Sequence, residues 1–200
     1  VPAGASGVEL VTKLQAAAEQ RNIPIHLGTK ATELLQDENG NVVGVKAAYN
    51  GQEITYHAKA VVLATGGFGA NVEMRKQYNP DMGEAILSTN SVGSTGDGIV
   101  MAQAIGAEAV DMSYIQTYPT CDIETGSLLY VGDVRLEGRS IMVNLEGERF
   151  VEELQRRDVI SKAVTQQTGG VSYMFWDAAG MTESGVDVQH KDEYETLIAK

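Results

Sequence analysis

The stretch "KAVVLATGGFGAN", Lys59 to Asn71, constrains this chain more than any other. A short apolar run bounded by glycines reads as a strand buried on both faces, as in a parallel sheet. It stops at Thr65-Gly66-Gly67, where a backbone without Cβ can lie against a ligand or take a positive φ. In open α/β sheets, ligands collect beyond the carboxyl ends of strands. Further on, Gly93-Ser-Thr-Gly-Asp-Gly98 repeats the device directly before a helical pattern of Ile99, Val100, Ala102, Ala104 and Ile105. The free amides at such a helix start favour polar or anionic groups, and Asp97 argues for hydroxyl or amide contacts rather than a bare phosphate. Neither stretch is the dinucleotide fingerprint, since no G-x-G-x-x-G follows a strand here.

Around these glycine loops the periodicity predicts an α/β chain. "GVELVTKLQAAAEQRN" has helical spacing over Gly7 to Arg21, and "IPIHLGTKATELLQD" reads as two short extended runs. The "ENGN" turn then introduces β-rich residues up to Ala58, so a small antiparallel meander follows the helix. "NVEMRKQYN" is a helix stopped by Pro80. From about Ser113 the texture shifts to turn-rich segments, marking a second domain; there "RSIMVN" and "VSYMFWD" read as strands and "RFVEELQRRDVISKAVTQQ" as helix. A length of 200 residues, 43% of them apolar, suffices for a packed core. The formal charge of −12 and a pI near 4.6 speak against a nucleic-acid partner. No apolar stretch is long enough to span a bilayer, and no export signal opens the sequence, which leaves the compartment open. Cys121 stands alone, and His26, His57 and His190 lack ligand spacing, so neither a disulfide nor a metal site is expected.

Taken in order, "KAVVLATGGFGAN", "STGDGIVMAQAIGAEAVDM", "IQTYPT", "IMVNLEGERFVEE" and "RRDVIS" resemble the FAD-containing fumarate reductase/succinate dehydrogenase flavoprotein family, including its soluble flavocytochrome-c-type and urocanate reductase-like members. The resemblance covers nearly the whole sequence. It implies the later part of a Rossmann-like FAD-binding domain over residues 1–112 and part of a substrate-capping domain over 113–200. Family members open with a G-x-G-x-x-G strand-turn-helix and continue past the cap, so an internal segment of a longer protein is expected. The implied cofactor is FAD, contacted by Thr65, Gly66, Gly67, Thr95, Gly96 and Asp97, with the backbone of Ala31 at the adenine end. The implied partners are a small unsaturated carboxylate and an electron-donor domain or protein.

In this family a hydride passes from reduced flavin to one alkene carbon while an arginine protonates the other. The resemblance carries that arginine onto Arg157, with Arg156 its confusable neighbour. Arginine stays protonated at neutral pH, so it works as an acid only beside a forming carbanion and with a carboxylate that resupplies the proton. The family's relay glutamate lies about two dozen positions earlier and is followed by a second arginine. Asp133 and Arg135 occupy those places, with Glu137 a rival carboxylate. Where fumarate reductases carry His-Pro-Thr for a substrate carboxylate, this sequence has Tyr118-Pro-Thr120. A neutral phenol cannot supply imidazolium charge to a second carboxylate, but it can stack on or hydrogen-bond a flat ring. That substitution and the aspartate favour a urocanate-like aryl acrylate over a small dicarboxylate, with Thr120 left to bind a carboxylate. Other readings are a dehydrogenase of the same family working in the oxidising direction on steroids, and a binding module without activity of its own.

Overall fold

The computed structural model describes Gly7 to Ala199. Two compact units emerge: one takes the chain up to Ala64 together with Gly98–Ala107, the other Thr65–Asp97 and the chain from Glu108 onward. Among the described residues no helix is long and apolar enough to cross a membrane.

The first unit opens with α1, Gly7–Gln20, in agreement with its spacing. Its apolar residues Val8, Leu10, Val11 and Leu14 nevertheless stay more than half exposed, and the helix buries none of its side chains. Strands β1 (Lys30–Gln36), β2 (Val42–Tyr49) and β3 (Gln52–His57) form the expected antiparallel meander in that order. The first turn is held by Asp37, whose Oδ1 accepts the amides of Asn39 and Asn41, both at 2.9 Å. The second turn is Asn50-Gly51, with φ of 49° and 76°, the left-handed pair that matches strand twist in a two-residue hairpin. Leu34 and Ala47 are buried on this sheet.

Two expected extended stretches form no strand. Residues 59–65 lie outside any ladder, with Val62 and Leu63 exposed. A strand exists only where neighbouring backbone takes up its amides and carbonyls, and among the described residues no strand pairs with this one. The same holds for residues 23–29, where Ile23, Ile25 and Leu27 are exposed.

In the second unit, Asn71 caps α2 (Val72–Tyr78) by accepting the Met74 amide at 3.0 Å, and Asn79-Pro80 ends it as expected. α3, Asp97–Ala104, belongs from Gly98 onward to the first unit. A long loop then leads to a 3-10 helix, Tyr130–Glu137. β4 (Ser140–Val143) pairs antiparallel with β5 (Tyr173–Trp176), both strands legible in the sequence. Between them lies α4, Arg157–Thr165. Three short helices follow β5: α5 (Ala178–Ser184), α6 (Val186–Gln189) and α7 (Lys191–Ala199). The core of this unit joins Val131 and Val134 of the 3-10 helix to Met181 and Val186, with Trp176, Tyr194 and Leu197 packed around them.

The helix expected over 149–167 is shorter than its pattern, because residues before Arg157 are captured by tertiary contacts. Glu153, 3% exposed, turns its carboxylate inward to the Met142 amide of β4 at 2.7 Å. A continuous helix would give up that bond.

A candidate active site around Tyr118

The loop after α3 is fixed by short cross-links. Thr120 Oγ1 donates to the Leu129 carbonyl at 3.1 Å, the Leu129 amide returns to the Thr120 carbonyl at 3.2 Å, and Cys121 pairs with Leu128 across the loop. The closure lays Tyr118 against the 3-10 helix, where its hydroxyl donates to Asp133 Oδ1 at 2.6 Å. Gly132 belongs to this contact: a Cβ there would come within 2.6 to 2.8 Å of the Thr120 side chain, so only glycine lets the helix approach so closely.

From the other side, the Arg157 guanidinium lies 4.9 Å over the centre of the Tyr118 ring, a cation–π distance. Tyr118 therefore stands between Asp133 and Arg157, and among the described residues no ion pair joins those two directly. Burial first, then the bond to Asp133, pushes the Tyr118 phenol up to about 12, so at neutral pH it is an uncharged donor. The ambiguity between the adjacent arginines resolves geometrically. Arg156 grips Asp158 with two hydrogen bonds, at 3.1 and 2.9 Å, and its side chain stays in solvent; Arg157 is the one on the tyrosine.

Arg135 does not join this group. It is 1% exposed and donates Nη1 to the Glu153 carbonyl at 3.0 Å, while its Nε is buried without a partner. Glu137 is exposed at the end of the 3-10 helix. Thr120 is close by, but its hydroxyl proton goes to Leu129, and taking up a carboxylate would require giving up that bond.

The two glycine loops come together within the second unit. The Gly96 amide donates to the Gly67 carbonyl at 3.1 Å, the Ala70 amide to the Ser94 carbonyl at 3.0 Å, and Asn71 Nδ2 to the Thr95 carbonyl at 2.9 Å. Thr95 Oγ1 donates to Asp97 Oδ1 at 2.8 Å. Gly66 has φ of 74° with nothing within 4 Å of where a Cβ would stand, and Gly67 is equally open. Gly96, at φ 81°, is walled in by Met74 and Phe68. Ala31 sits in β1 of the first unit opposite Ala47, beside a register shift.

Residues 2–198 match the family model described as FAD binding domain. The chain belongs to that family. It is 51% identical to the urocanate reductase of Eggerthella lenta over all of its own length and 34% of that protein's. It is 41% identical to the NADH:acrylate oxidoreductase of Vibrio harveyi, over 88% of this chain and 18% of that protein. Among solved structures, the open conformation of a flavocytochrome c3 fumarate reductase matches with a TM-score of 0.79 at 33% identity, over 96% of this chain and 33% of that one. The chain thus spans about a third or less of the length of the curated relatives it matches.

The geometry of the glycine loops fits the family's cofactor. Backbone open at Gly66 and Gly67, braced from behind by the packed Gly96 turn, makes a rigid surface that a flat polar molecule can approach closely. Three further residues that shape this cluster were not singled out from sequence. Glu153 holds β4 and Arg149 together and offers its carbonyl to Arg135. Gly132 makes room for Thr120, and Tyr130 places its ring 6.2 Å from that of Tyr118. The four-residue spacing of Arg149 and Glu153 was the one visible signal, and it suggested a helix rather than a buried clamp.

Proposed function

We propose that the full-length protein carrying this chain is a flavin-dependent reductase of activated carbon–carbon double bonds, acting on an aryl acrylate of the urocanate type. The observation that carries this reading is the neutral Tyr118 phenol set between Arg157 and Asp133. The strong likeness to a urocanate reductase supports it. Thr65, Gly66, Gly67, Thr95, Gly96 and Asp97 line the FAD. When bound, FAD supplies a hydride to one alkene carbon. Arg157 hands a proton to the adjacent carbon, so that one hydride and one proton saturate the bond, and the guanidine is then reprotonated from solvent by way of Asp133. Arg135, two positions along the same 3-10 helix, is buried and tied to the Glu153 carbonyl, so it serves this site by fixing the helix rather than by touching the substrate.

Tyr118 has two tasks here. Its face keeps the Arg157 cation oriented, and its hydroxyl holds the Asp133 side chain in place. A residue of this kind offers no positive charge to a second substrate carboxylate, which favours a flat ring at that end. Thr120 stands at the edge of this site, where a carboxylate could compete for its hydroxyl.

The test is turnover of the full-length protein with a low-potential donor and urocanate, cinnamate or fumarate. Removing a general acid costs about 10²- to 10⁴-fold. Arg157→Ala is expected to lose turnover on that scale while Arg156→Ala stays within a few-fold of wild type. An Arg157→Ala protein that reduces its substrate at the wild-type rate would remove the mechanism.

A further inference from the structure

Tyr130 is the first residue of the 3-10 helix that carries Asp133, and it is held from three directions. Its ring stacks on His190 with centroids 5.6 Å apart and planes 16° from parallel. Its amide donates to Glu193 Oε1 at 3.0 Å, and the next amide, of Val131, donates to Oε2 at 2.5 Å. The helix lacks a side-chain cap of its own at Leu129, so a carboxylate from α7 takes up its first two amides. Val131 is buried in the core just behind.

The residue so fixed is still half exposed, and its ring lies beside that of Tyr118 at a tilt of 51°. A tyrosine has only two side-chain torsions, and here the stack and the pinned backbone restrain them before any ligand arrives. That arrangement suits recognition of a flat apolar ring, for which a pre-set aromatic surface gains contact at small entropic cost. A substrate with no ring has nothing to lay against it.

We propose that Tyr130 is a specificity-determining residue, packing beside Tyr118 against the aryl group of the substrate within the site that Tyr118, Asp133 and Arg157 enclose. This rests on the reading that those three residues enclose the substrate. His190 and Glu193 act through Tyr130 as positioning residues.

The experiment uses the full-length protein and two substrates, urocanate and ringless acrylate. Aromatic contacts of this kind correspond to about a two- to tenfold effect. Tyr130→Leu is therefore expected to raise KM for urocanate by that factor with kcat little changed, and to leave both constants for acrylate as they are. Tyr130→Phe should behave as wild type. A Tyr130→Leu effect equal for both substrates, or none for either, overturns the proposal while leaving the functional reading intact. A wild-type protein inactive on both substrates refutes the functional reading, and this proposal with it. Should Tyr130→Leu fail to fold, 3-fluorotyrosine placed at position 130 reports in the intact site. Its fluorine resonance should shift on adding the saturated aryl propionate but not propionate, and equal or absent shifts would overturn the assignment.

Discussion

Replacing Glu153 with glutamine tests the contact that holds the segment before Arg157 to β4. The carboxylate, 3% exposed, accepts the Met142 amide at 2.7 Å and two Arg149 bonds at 3.1 and 2.5 Å. Glutamine keeps one oxygen for Met142 but turns an NH2 toward the Arg149 donors. Hydrogen bonds to a charged group contribute about 1.5 to 3 kcal/mol each. Arg149 is 55% exposed, however, and recovers much of its loss from water. A net cost of about 2 kcal/mol is expected, equivalent to roughly thirtyfold in an opening equilibrium. The assay is hydrogen exchange at the Met142 amide in the full-length protein, which reads local opening rather than global melting.

The pH dependence provides an independent check. Burial pushes the Glu153 carboxyl up, but Arg149 and the Met142 amide together outweigh it and hold the group below its ordinary value of 4.5. A depressed carboxyl contributes stability that is complete above the unfolded value and disappears as pH falls through the folded one. The gap between wild type and Glu153→Gln should thus be full at pH 7 and shrink below about pH 4.5. Unchanged protection at Met142, or a gap that does not vary with pH, would refute the reasoning.

Gly132→Ala places a Cβ 2.6 to 2.8 Å from three atoms of Thr120, a β-branched side chain with little room to move; a loss of about 1 to 3 kcal/mol in thermal unfolding is expected, together with reduced turnover as Asp133 leaves Tyr118. Gly96→Ala meets Met74 Sδ at 2.4 Å at a φ of 81°, so the purified full-length variant should carry less FAD per chain by its visible absorbance. Tyr118 titrates at about 12 in the folded protein against 10.0 unfolded, so folding favours its protonated form. Any stability advantage of wild type over Tyr118→Phe should accordingly be complete below about pH 10 and decline toward pH 12, as followed by denaturant midpoints.

Local rules were enough for the elements that stabilise themselves locally. The turn at Glu38-Asn-Gly-Asn41 and the Pro80 stop are decided within a few residues, and each stands where its pattern put it. Runs whose structure depends on distant backbone were misread: the apolar stretch before Thr65 pairs with no strand among the described residues, and the segment before Arg157 is bent by Glu153 toward β4. For the candidate site, Tyr118, Asp133 and Arg157 were singled out through the resemblance of their motifs, whereas their order in space, with the phenol in the middle, was not visible in the sequence. Tyr130 and Gly132 were hidden because their roles come from contacts to His190, Glu193 and Thr120, which no spacing rule connects to them.

The cross-links between the two glycine loops bear on how this scaffold can be re-engineered. The Gly96 amide needs the Gly67 carbonyl, and Asn71 needs Thr95, so neither turn holds its shape alone. Transplanting one of them from a homologue to alter flavin affinity would leave mismatched partners, and a working chimera has to carry both segments, with Phe68 and Met74, as a single cassette.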